Sequence, residues 1–588
     1  MLPEWKSSVI AKLRVLIRSN EFFLVPVALV IGAIAGVLVT LMSQFAQLAH
    51  VFIYGIPLDV HLSAHAYVDP IRTLLALGLA GQTLGLMEWS RRRWKISVAV
   101  DPIEANALRG GHISLRDSIV VSGQTLISNG SGASVGLEAG YAQIGAGAAS
   151  LLGRFLNLRR NDVRLAVGCG AAGAIAAAFG APLTGAFYGC ELIVGVYSVA
   201  AAAPILASAI AATIISQWLG AAPYLIEVLP ISRITGEQYF GLLGLALVVS
   251  VSGIAIMYCA AVFERAFHQP WLPSWIRPVI GGLCVGGLAC ITPQVLAAGH
   301  GAMLTDLNRD MSASLILAII GLKIFACLVS LASGFRGGLF FASLFIGSLI
   351  GKLFADLIPI LWGTAIDPTA AMLTGMATLG VAIVGGPLTM SFLVLETTHS
   401  LEVTAVALGA CIVTSVFVRA VFGHSFSTWR LHLRGETIRG ANDVGWLRSL
   451  TVESTMRTDF EVVNADISIA QFRQRFPLGS RQGVFVVDPH NSSYLGVAIL
   501  AEVFSNDYDF ESDTRLIGEL AKYPETFLLG GMNVKLAMKA FDRAGAEILA
   551  VVDSEASRCV IGLLTESYAR RRYTEELDQA TQGIVGRT

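Results

Sequence analysis

One glutamate stands among small residues in the middle of a strongly apolar sequence. The stretch 130–141, Gly-Ser-Gly-Ala-Ser-Val-Gly-Leu-Glu-Ala-Gly-Tyr, contains Glu138 as its only charged residue. A charged side chain at membrane depth is costly unless it faces protein or a water-filled cavity, so such an acid is a candidate functional residue. The surrounding glycines leave backbone N–H groups uncovered, as in other anion-binding segments. The pattern predicts a pocket for a small anion beside Glu138.

The composition places this acid in a membrane protein. Of the 588 residues, 54% are hydrophobic and 14% are charged, and the mean hydropathy is +0.66, which is far more apolar than a soluble domain. Charges are sparse from about residue 21 to about residue 423 and become mixed after residue 430. The formal net charge of −1 offers no basic patch for nucleic acid. We expect a membrane domain, a soluble tail and no nucleic-acid partner.

The basic residues predict the orientation of the chain in the membrane, and the cysteine spacing argues against a metal site. Residues 1–20 set apolar side chains against basic ones without a cleavage site, which predicts an interfacial helix rather than a cleaved signal peptide. The basic runs at 91–95 and 159–160 follow apolar segments and are therefore expected on the cytoplasmic side. The eight cysteines are scattered without a C-x-x-C spacing, so no metal site is predicted.

Short apolar segments interrupted by glycine and proline occur in both halves of the membrane domain. Residues 180–184 (GAPLT) return as 385–389 (GGPLT), and a glutamate follows each proline after nine residues, at Glu191 and Glu396. Broken helices persist in a bilayer only where their ends are buried in protein or line a cavity. The repeat predicts a substrate region where the two halves meet, and the alternative is chance similarity between low-complexity helices.

A second correspondence lies upstream of the prolines. Gly136 and Gly145 are nine residues apart, and Gly338 and Gly347 repeat that spacing. Helix N-termini carry about half a positive charge and unpaired N–H donors. Broken helices that begin beside Gly136 and Gly338 would therefore create a site for an anion, and Glu138 would compete for it as a gate. The alternative interpretation of Glu138 is a buried acid that caps a helix.

The tail contains a duplication of its own. Residues 468–488 align without gaps with residues 533–553, and each copy is followed by a polar turn and a further apolar segment, at 494–499 and 560–564. This order predicts helix, strand, turn and strand, twice over. The expected structure is a compact pair of α/β units.

Taken in order along the chain, these motifs resemble the CLC family of chloride channels and proton/chloride antiporters. Residues 136–140 (GLEAG) are similar to the G-x-E-G-P motif of that family, residues 338–342 (GLFFA) to its G-x-F-x-P motif, and the helices at Pro182 and Pro387 to its interface helices. The tail resembles the paired CBS domains of many members. The resemblance implies an α-helical polytopic membrane protein with an inverted-repeat fold and broken helices, assembled as a homodimer with one pore per subunit.

The resemblance also implies a domain organisation and a location. It predicts an amphipathic cytoplasmic helix at 1–20, a transmembrane domain at 21–435 with repeats at about 21–220 and 236–435, and a cytoplasmic CBS pair at 436–588. The expected location is the inner (plasma) membrane, with the N-terminus and the tail in the cytoplasm. The expected partners are the lipid bilayer, a second copy of the chain, and chloride or another small anion.

The resemblance assigns Glu138 as the gating glutamate. It also assigns a set of anion-binding positions: Leu137, Ala139, Leu339, Phe340, Ser427 and Ala99. Two of these depart from the family pattern, because Ala99 replaces the coordinating serine of the family and Ser427 falls where the family has a pore tyrosine. The selectivity among chloride, nitrate, bicarbonate and fluoride therefore stays open.

The residue pair Glu191-Leu192 bears on the mechanism. The antiporters of the family carry two adjacent acids here, and the residue at the proton-transfer position of this chain is the leucine, whose alkyl side chain cannot carry a proton. This favours a passive anion channel, with a proton-coupled chloride antiporter as the alternative. Glu191 and Glu396 occupy equivalent repeat positions and are interpreted as structural acids at helix ends.

Residues 132–136 also match G-x-S-x-G, which raises the hypothesis of a membrane serine hydrolase with Ser134 as nucleophile. That motif requires a strand-to-helix elbow and a positioned base, and the apolar domain offers no matching constellation. We therefore expect no enzymatic activity and no cofactor, with chloride as the bound substrate. An adenine nucleotide at the CBS pair is not favoured. CBS pairs that bind nucleotides often carry a Thr followed three residues later by an Asp, whereas here Thr565 is followed by Tyr568.

Overall fold

The computed structural model describes residues 23–96, 98–221, 226, 234–307, 309–363, 365–426, 428–429, 450–505 and 515–585. The predicted helix at 1–20, the anion-binding position Ser427 and the predicted boundary between residues 435 and 436 lie outside these residues. The described residues form two compact units, one before residue 444 and one after it.

The extended secondary-structure elements of the first unit are all helices in the residues that are described. Its helices are α1 Leu24–Tyr54, α2 Pro70–Arg93, α3 Pro102–Leu108, α4 Leu115–Gly130, α5 Glu138–Phe155, α6 Arg160–Phe179, α7 Pro182–Tyr188, α8 Val199–Trp218, α9 Gly236–Phe267, α10 Arg277–Ala289, α11 His300–Leu307, α12 Ala313–Ser333, α13 Phe340–Trp362, α14 Pro368–Val384, α15 Pro387–Thr398 and α16 Leu401–Val421. A π-helical turn, Gly189–Val194, follows α7. Seven of these helices are long and apolar enough to cross a membrane, namely α1, α6, α8, α9, α12, α13 and α16.

Several helices begin with the same local chemistry. Asp69, Asp101 and Asp367 each precede a proline in the first helical position, and each carboxylate accepts a hydrogen bond from a backbone N–H of the first turn. Aspartate caps satisfy otherwise unpaired amides, and proline fits the first position because it has no N–H to lose. The helices α5 and α13 lack any such side-chain cap.

Close helix crossings occur at equivalent positions in the two halves. A Cβ atom added to Gly145 on α5 would lie 2.4 Å from the carbonyl oxygen of Gly170 on α6. A Cβ atom added to Gly347 on α13 would lie 2.3 Å from the carbonyl oxygen of Gly375 on α14. Only glycine allows the backbones to approach so closely. The predicted inverted-repeat fold with broken helices is confirmed, and the glycines of the repeat mark its helix crossings.

Glu191 and Glu396 each bind a helix N-terminus in the other half of the membrane unit. Glu191 lies in the π-helical turn that follows α7, and Glu396 lies near the end of α15. Glu396 accepts hydrogen bonds from the Leu183 N–H at 2.7 Å, the Thr184 N–H at 2.8 Å and the Thr184 hydroxyl at 2.7 Å. Glu191 makes the same three bonds to residues 388–389, at 3.1, 2.9 and 2.6 Å. Each carboxylate therefore caps the N-terminus of the corresponding short helix in the other half.

The second unit contains two copies of one α/β arrangement. Its strands are β1 Val462–Asn464, β2 Gly483–Val487, β3 Tyr494–Ile499, β4 Leu528–Leu529, β5 Ile548–Val552 and β6 Val560–Thr565, and its helices are α17 Val452–Thr455, α18 Ile469–Arg475, α19 Leu500–Val503, α20 Val534–Ala544 and α21 Glu566–Val585. In each sheet the central strand, β2 or β5, pairs in parallel with the strand before it and antiparallel with the strand after it. Both sheets have an irregularity before the last residue of the central strand. The predicted paired α/β tail is confirmed.

We predict that the glycine crossing limits the stability of the membrane unit. Replacing Gly375 with alanine should lower the free energy of unfolding by about 1–3 kcal/mol, because the added methyl group overpacks the contact with α13. Gly321→Ala on α12 is the matched control, because a Cβ there has no neighbour within 4 Å. Apparent melting temperatures in detergent measure the difference, and equal values for the two variants would contradict the prediction.

We also predict that the two capping acids have comparable structural roles. Glu396→Ala should cost about 1–3 kcal/mol, the penalty for leaving buried donors unpaired, and Glu191→Ala should cost a similar amount because it makes the same set of bonds. Glu402→Ala, an exposed acid in the first turn of α16, should stay within about 0.5 kcal/mol of the wild type. The same melting experiment tests this, and the prediction fails if Glu396→Ala and Glu402→Ala melt together.

Candidate anion-binding site

The N-termini of α5 and α13 are held side by side by a short backbone bridge. The Gly136 N–H donates to the Gly338 carbonyl at 2.9 Å, and the Gly338 N–H donates to the Gly136 carbonyl at 3.2 Å. Each glycine lies two residues before the first residue of its helix, at the positions that the repeat relates. The bridge therefore brings two helix N-termini to one place inside the membrane unit.

The first amides of both helices remain without side-chain caps. The N-cap residues Leu137 and Leu339 carry alkyl side chains and make no capping hydrogen bond. The amides at a helix N-terminus have no intrahelical partner and, together with the helix dipole, attract negative charge. Two such N-termini side by side form an environment in which a small anion is stabilised.

Glu138 places a carboxylate in this environment. It is the first residue of α5 and exposes only 4% of its surface. Its Oε2 atom has no hydrogen-bond partner among the described residues. Buried carboxylate oxygens are normally hydrogen-bonded, so an unpartnered one at this position indicates a functional group.

A cavity of about 410 Å³ opens in front of the two helix N-termini. Its lining includes five of the predicted site residues: Ala99, Glu138, Ala139, Leu339 and Phe340. The side chain of Leu137 packs instead in an apolar cluster with Val39 and Tyr141. The capping acids Glu191 and Glu396 do not line the cavity.

The cavity also contains polar residues that the motif analysis does not assign. Asp101, Gln143, Tyr188 and Arg336 line it together with Glu138. Asp101 lies within the segment 98–102 that resembles the serine motif of the family, so the sequence itself contains the signal for an acid at this position. Tyr188 comes from the far end of α7, and only the folded chain brings it to this cavity.

The cavity lining also includes a group of charged residues, Glu88, Arg91, Arg92 and Arg277, that we call the basic mouth. Glu88 forms ion pairs with Arg91 at 2.8 Å and with Arg92 at 2.7 Å. Three guanidinium groups against one carboxylate give this group a net positive charge. Such a field raises the local concentration of anions at an opening.

The hydrolase hypothesis finds no support at Ser134. Its side chain is fully buried, and its hydroxyl lies 3.3 Å from the Cys327 sulfur. The segment 132–136 connects α4 to α5, so the strand-to-helix elbow that the motif requires is not formed.

Comparison with known proteins identifies related sequences. The family model described as voltage gated chloride channel matches residues 83–419. A putative chloride channel protein ClcB-like of Ralstonia nicotianae is 31% identical over 369 residues, covering 60% of this chain and 85% of the relative. The voltage-gated ClC-type chloride channel ClcB of Escherichia coli strain SMS-3-5 is 29% identical over 377 residues, covering 63% of this chain and 89% of the relative.

Solved structures share the fold. A slow cyanobacterial Cl⁻/H⁺ antiporter superposes with a TM-score of 0.60 at 22% identity, covering 70% of this chain and 97% of that one. A eukaryotic CLC transporter superposes with a TM-score of 0.56 at 16% identity and covers 92% of this chain and 97% of that one. The family match spans more than half of the chain, and the broken-helix fold agrees with it. The chain therefore belongs to the voltage-gated chloride channel (CLC) family of membrane anion transporters.

Proposed function

We propose that this chain is a chloride channel that conducts small anions passively through the cavity, with Glu138 as its gate. The observation that carries the proposal is the buried Glu138 carboxylate, which has an unpartnered oxygen beside two uncapped helix N-termini. Relatives named as chloride channels support chloride as the ion.

The gating role follows from competition for one positive site. The charged Glu138 carboxylate and a mobile anion are attracted by the same amides and helix dipoles. Two negative charges that occupy one site repel each other, so the carboxylate and the anion exclude each other. Protonation of Glu138 removes the tethered competitor, and anion flux should therefore rise as the pH falls.

Anion binding in this cavity depends on the backbone more than on hydroxyl groups. Ala99 presents a methyl group where the family pattern has a serine. The amides at the starts of α5 and α13, near Ala139 and Phe340, supply donors that do not depend on side-chain identity. We therefore propose a site for small monovalent anions, chloride among them.

Proton-coupled antiport is the second candidate. The comparison structures include Cl⁻/H⁺ and fluoride/proton antiporters. At sequence identities of 22% and 21%, these structures support a shared fold and not a shared mechanism. The side chain at the position of the second acid is Leu192, which packs near Gly385 and cannot exchange protons. This observation favours the passive channel.

The assembly and location are also part of the proposal. We propose a homodimer in the inner (plasma) membrane with the N-terminus and the CBS-like tail in the cytoplasm. The outer faces of α8 and α16 expose large apolar side chains, including Val199, Trp218 and Leu401, and such surfaces suit lipid or a second copy. The tail is proposed to have a structural role.

We predict that Glu138→Gln raises chloride efflux from liposomes several-fold and removes its dependence on pH, because the neutral amide no longer competes with the anion. Efflux rates measured across a pH series test this. Glu104→Gln is the control, since Glu104 forms an ion pair with Arg109 and does not line the cavity. An unchanged pH response in Glu138→Gln would reject the gate.

A second prediction separates the two candidate mechanisms. Under opposed chloride and proton gradients, a passive channel should reverse at the chloride equilibrium potential. Current recordings in planar bilayers measure that potential directly. A displacement toward the proton equilibrium potential would establish antiport instead.

A further inference from the structure

Tyr188 brings a phenol to the cavity from an unusual backbone position. It is the last residue of the short helix α7, and the π-helical turn Gly189–Val194 begins immediately after it. Such turns occur frequently at functional sites. Its ring centroid lies 6.3 Å from that of Phe340, at the start of α13. Its side chain is half-buried and lines the cavity.

Asp101 contributes a carboxylate to the same cavity from a rigid support. It is the N-cap of α3, and its Oδ1 atom accepts a hydrogen bond from the Ile103 N–H at 2.8 Å. Asp101 is exposed, whereas Glu138 is buried. The cavity is thus lined by one acid that meets solvent and one acid that is removed from it.

The phenol of Tyr188 lines the same cavity as both carboxyl groups. Each of the two carboxylates disfavours a negative charge on the phenol oxygen. A hydroxyl can, however, donate one hydrogen bond and accept others at the same time, which is the requirement for passing a proton between two carboxyl groups.

We propose that Asp101 and Tyr188 form the route by which protons from the cavity reach Glu138. This inference rests on the proposed gating role of Glu138. This route would replace the second acid of the antiporters, because the residue at that position of this chain is Leu192. Glu191 cannot serve instead, because its carboxylate is bound to the start of α15.

The proton transfer balances without an additional reagent. Asp101 takes a proton from solvent at the exposed end of the cavity. The protonated carboxyl group of Asp101 gives its proton to the Tyr188 oxygen, directly or through cavity water, while the Tyr188 O–H proton passes to the Glu138 carboxylate. Asp101 is left as a carboxylate, Tyr188 remains a neutral phenol, and Glu138 becomes neutral.

Other charged groups also line this cavity, and the experiment must distinguish their effects from those of Asp101 and Tyr188. They are Arg336 beside the start of α13, the basic mouth, and Glu264 and His268 at the end of α9. Arginines keep their protons at any relevant pH. Because Glu264 and His268 also line the cavity, the test must compare substitutions along the route and not pH values alone.

The experiment measures how fast the gate responds to acid. Chloride current is recorded in planar bilayers while the pH is lowered rapidly on one face at a time, and each time course is normalised to its own final current. For acidification of the face that carries Arg91 and Arg92, Tyr188→Phe should slow the rise in current at least tenfold. When the opposite face is acidified, the current of Tyr188→Phe should rise at the wild-type rate.

Two further variants make the test specific. Asp101→Asn should slow the same response, because asparagine preserves the helix cap to Ile103 and cannot deliver a proton. Tyr141→Phe is the matched control: it removes a hydroxyl three residues after Glu138, from a side chain in the apolar cluster with Leu137, and should respond like the wild type.

The outcomes distinguish this inference from the proposed function. A Tyr188→Phe response as fast as that of the wild type overturns the route. A change in the chloride-to-nitrate permeability ratio with an unchanged response also overturns it, because the hydroxyl would then be an anion ligand. The absence of chloride current in the wild type would instead reject the proposed channel.

Discussion

The structure of the membrane unit depends on the two hydrogen bonds between Gly136 and Gly338. A helix that ends inside a bilayer leaves amide groups that lipid cannot satisfy, so its end must be covered by protein or open to water. The bridge satisfies one N–H and one C=O of each strand-like segment before α5 and α13. It does so without covering the first amides of the helices themselves. Those amides keep their attraction for negative charge at a fixed point.

The repeat contains two kinds of helix N-terminus, one with its amides capped by a carboxylate and one with its amides uncapped. The N-termini of α7 and α15 are closed by Glu396 and Glu191, each of which reaches across from the other half. The rings of Phe187 and Phe392 stack between these helices with centroids 4.4 Å apart and planes inclined by 6°. The closed helix ends and the stacked rings join the two halves of the membrane unit. The open ends of α5 and α13 can therefore remain uncapped without loosening the fold.

Features that backbone geometry imposes could be predicted from the sequence. Gly145 and Gly347 are visible as a repeat because no other residue fits the helix crossings, and the four longer strands of the tail are visible as apolar runs. The strands β1 and β4 span three and two residues and are too short to show a period. Asp101 and Tyr188 line one cavity only in the folded chain, and no local pattern relates them. The side-chain position of Leu137 likewise depends on tertiary packing.

The asymmetry between the halves explains how the site can hold a mobile ion. The repeat that relates Gly136 to Gly338 also relates Glu138 to Phe340, so two equivalent helix N-termini share a single carboxylate. An acid in both positions would place two negative charges on one positive site, and mutual repulsion would favour protonation of one of them. No acid in either position would leave the site open to any anion at any pH. With one acid and two N-termini, each worth about half a positive charge, the ionised carboxylate offsets the local positive potential. Occupancy by an anion therefore becomes a matter of the protonation and position of Glu138.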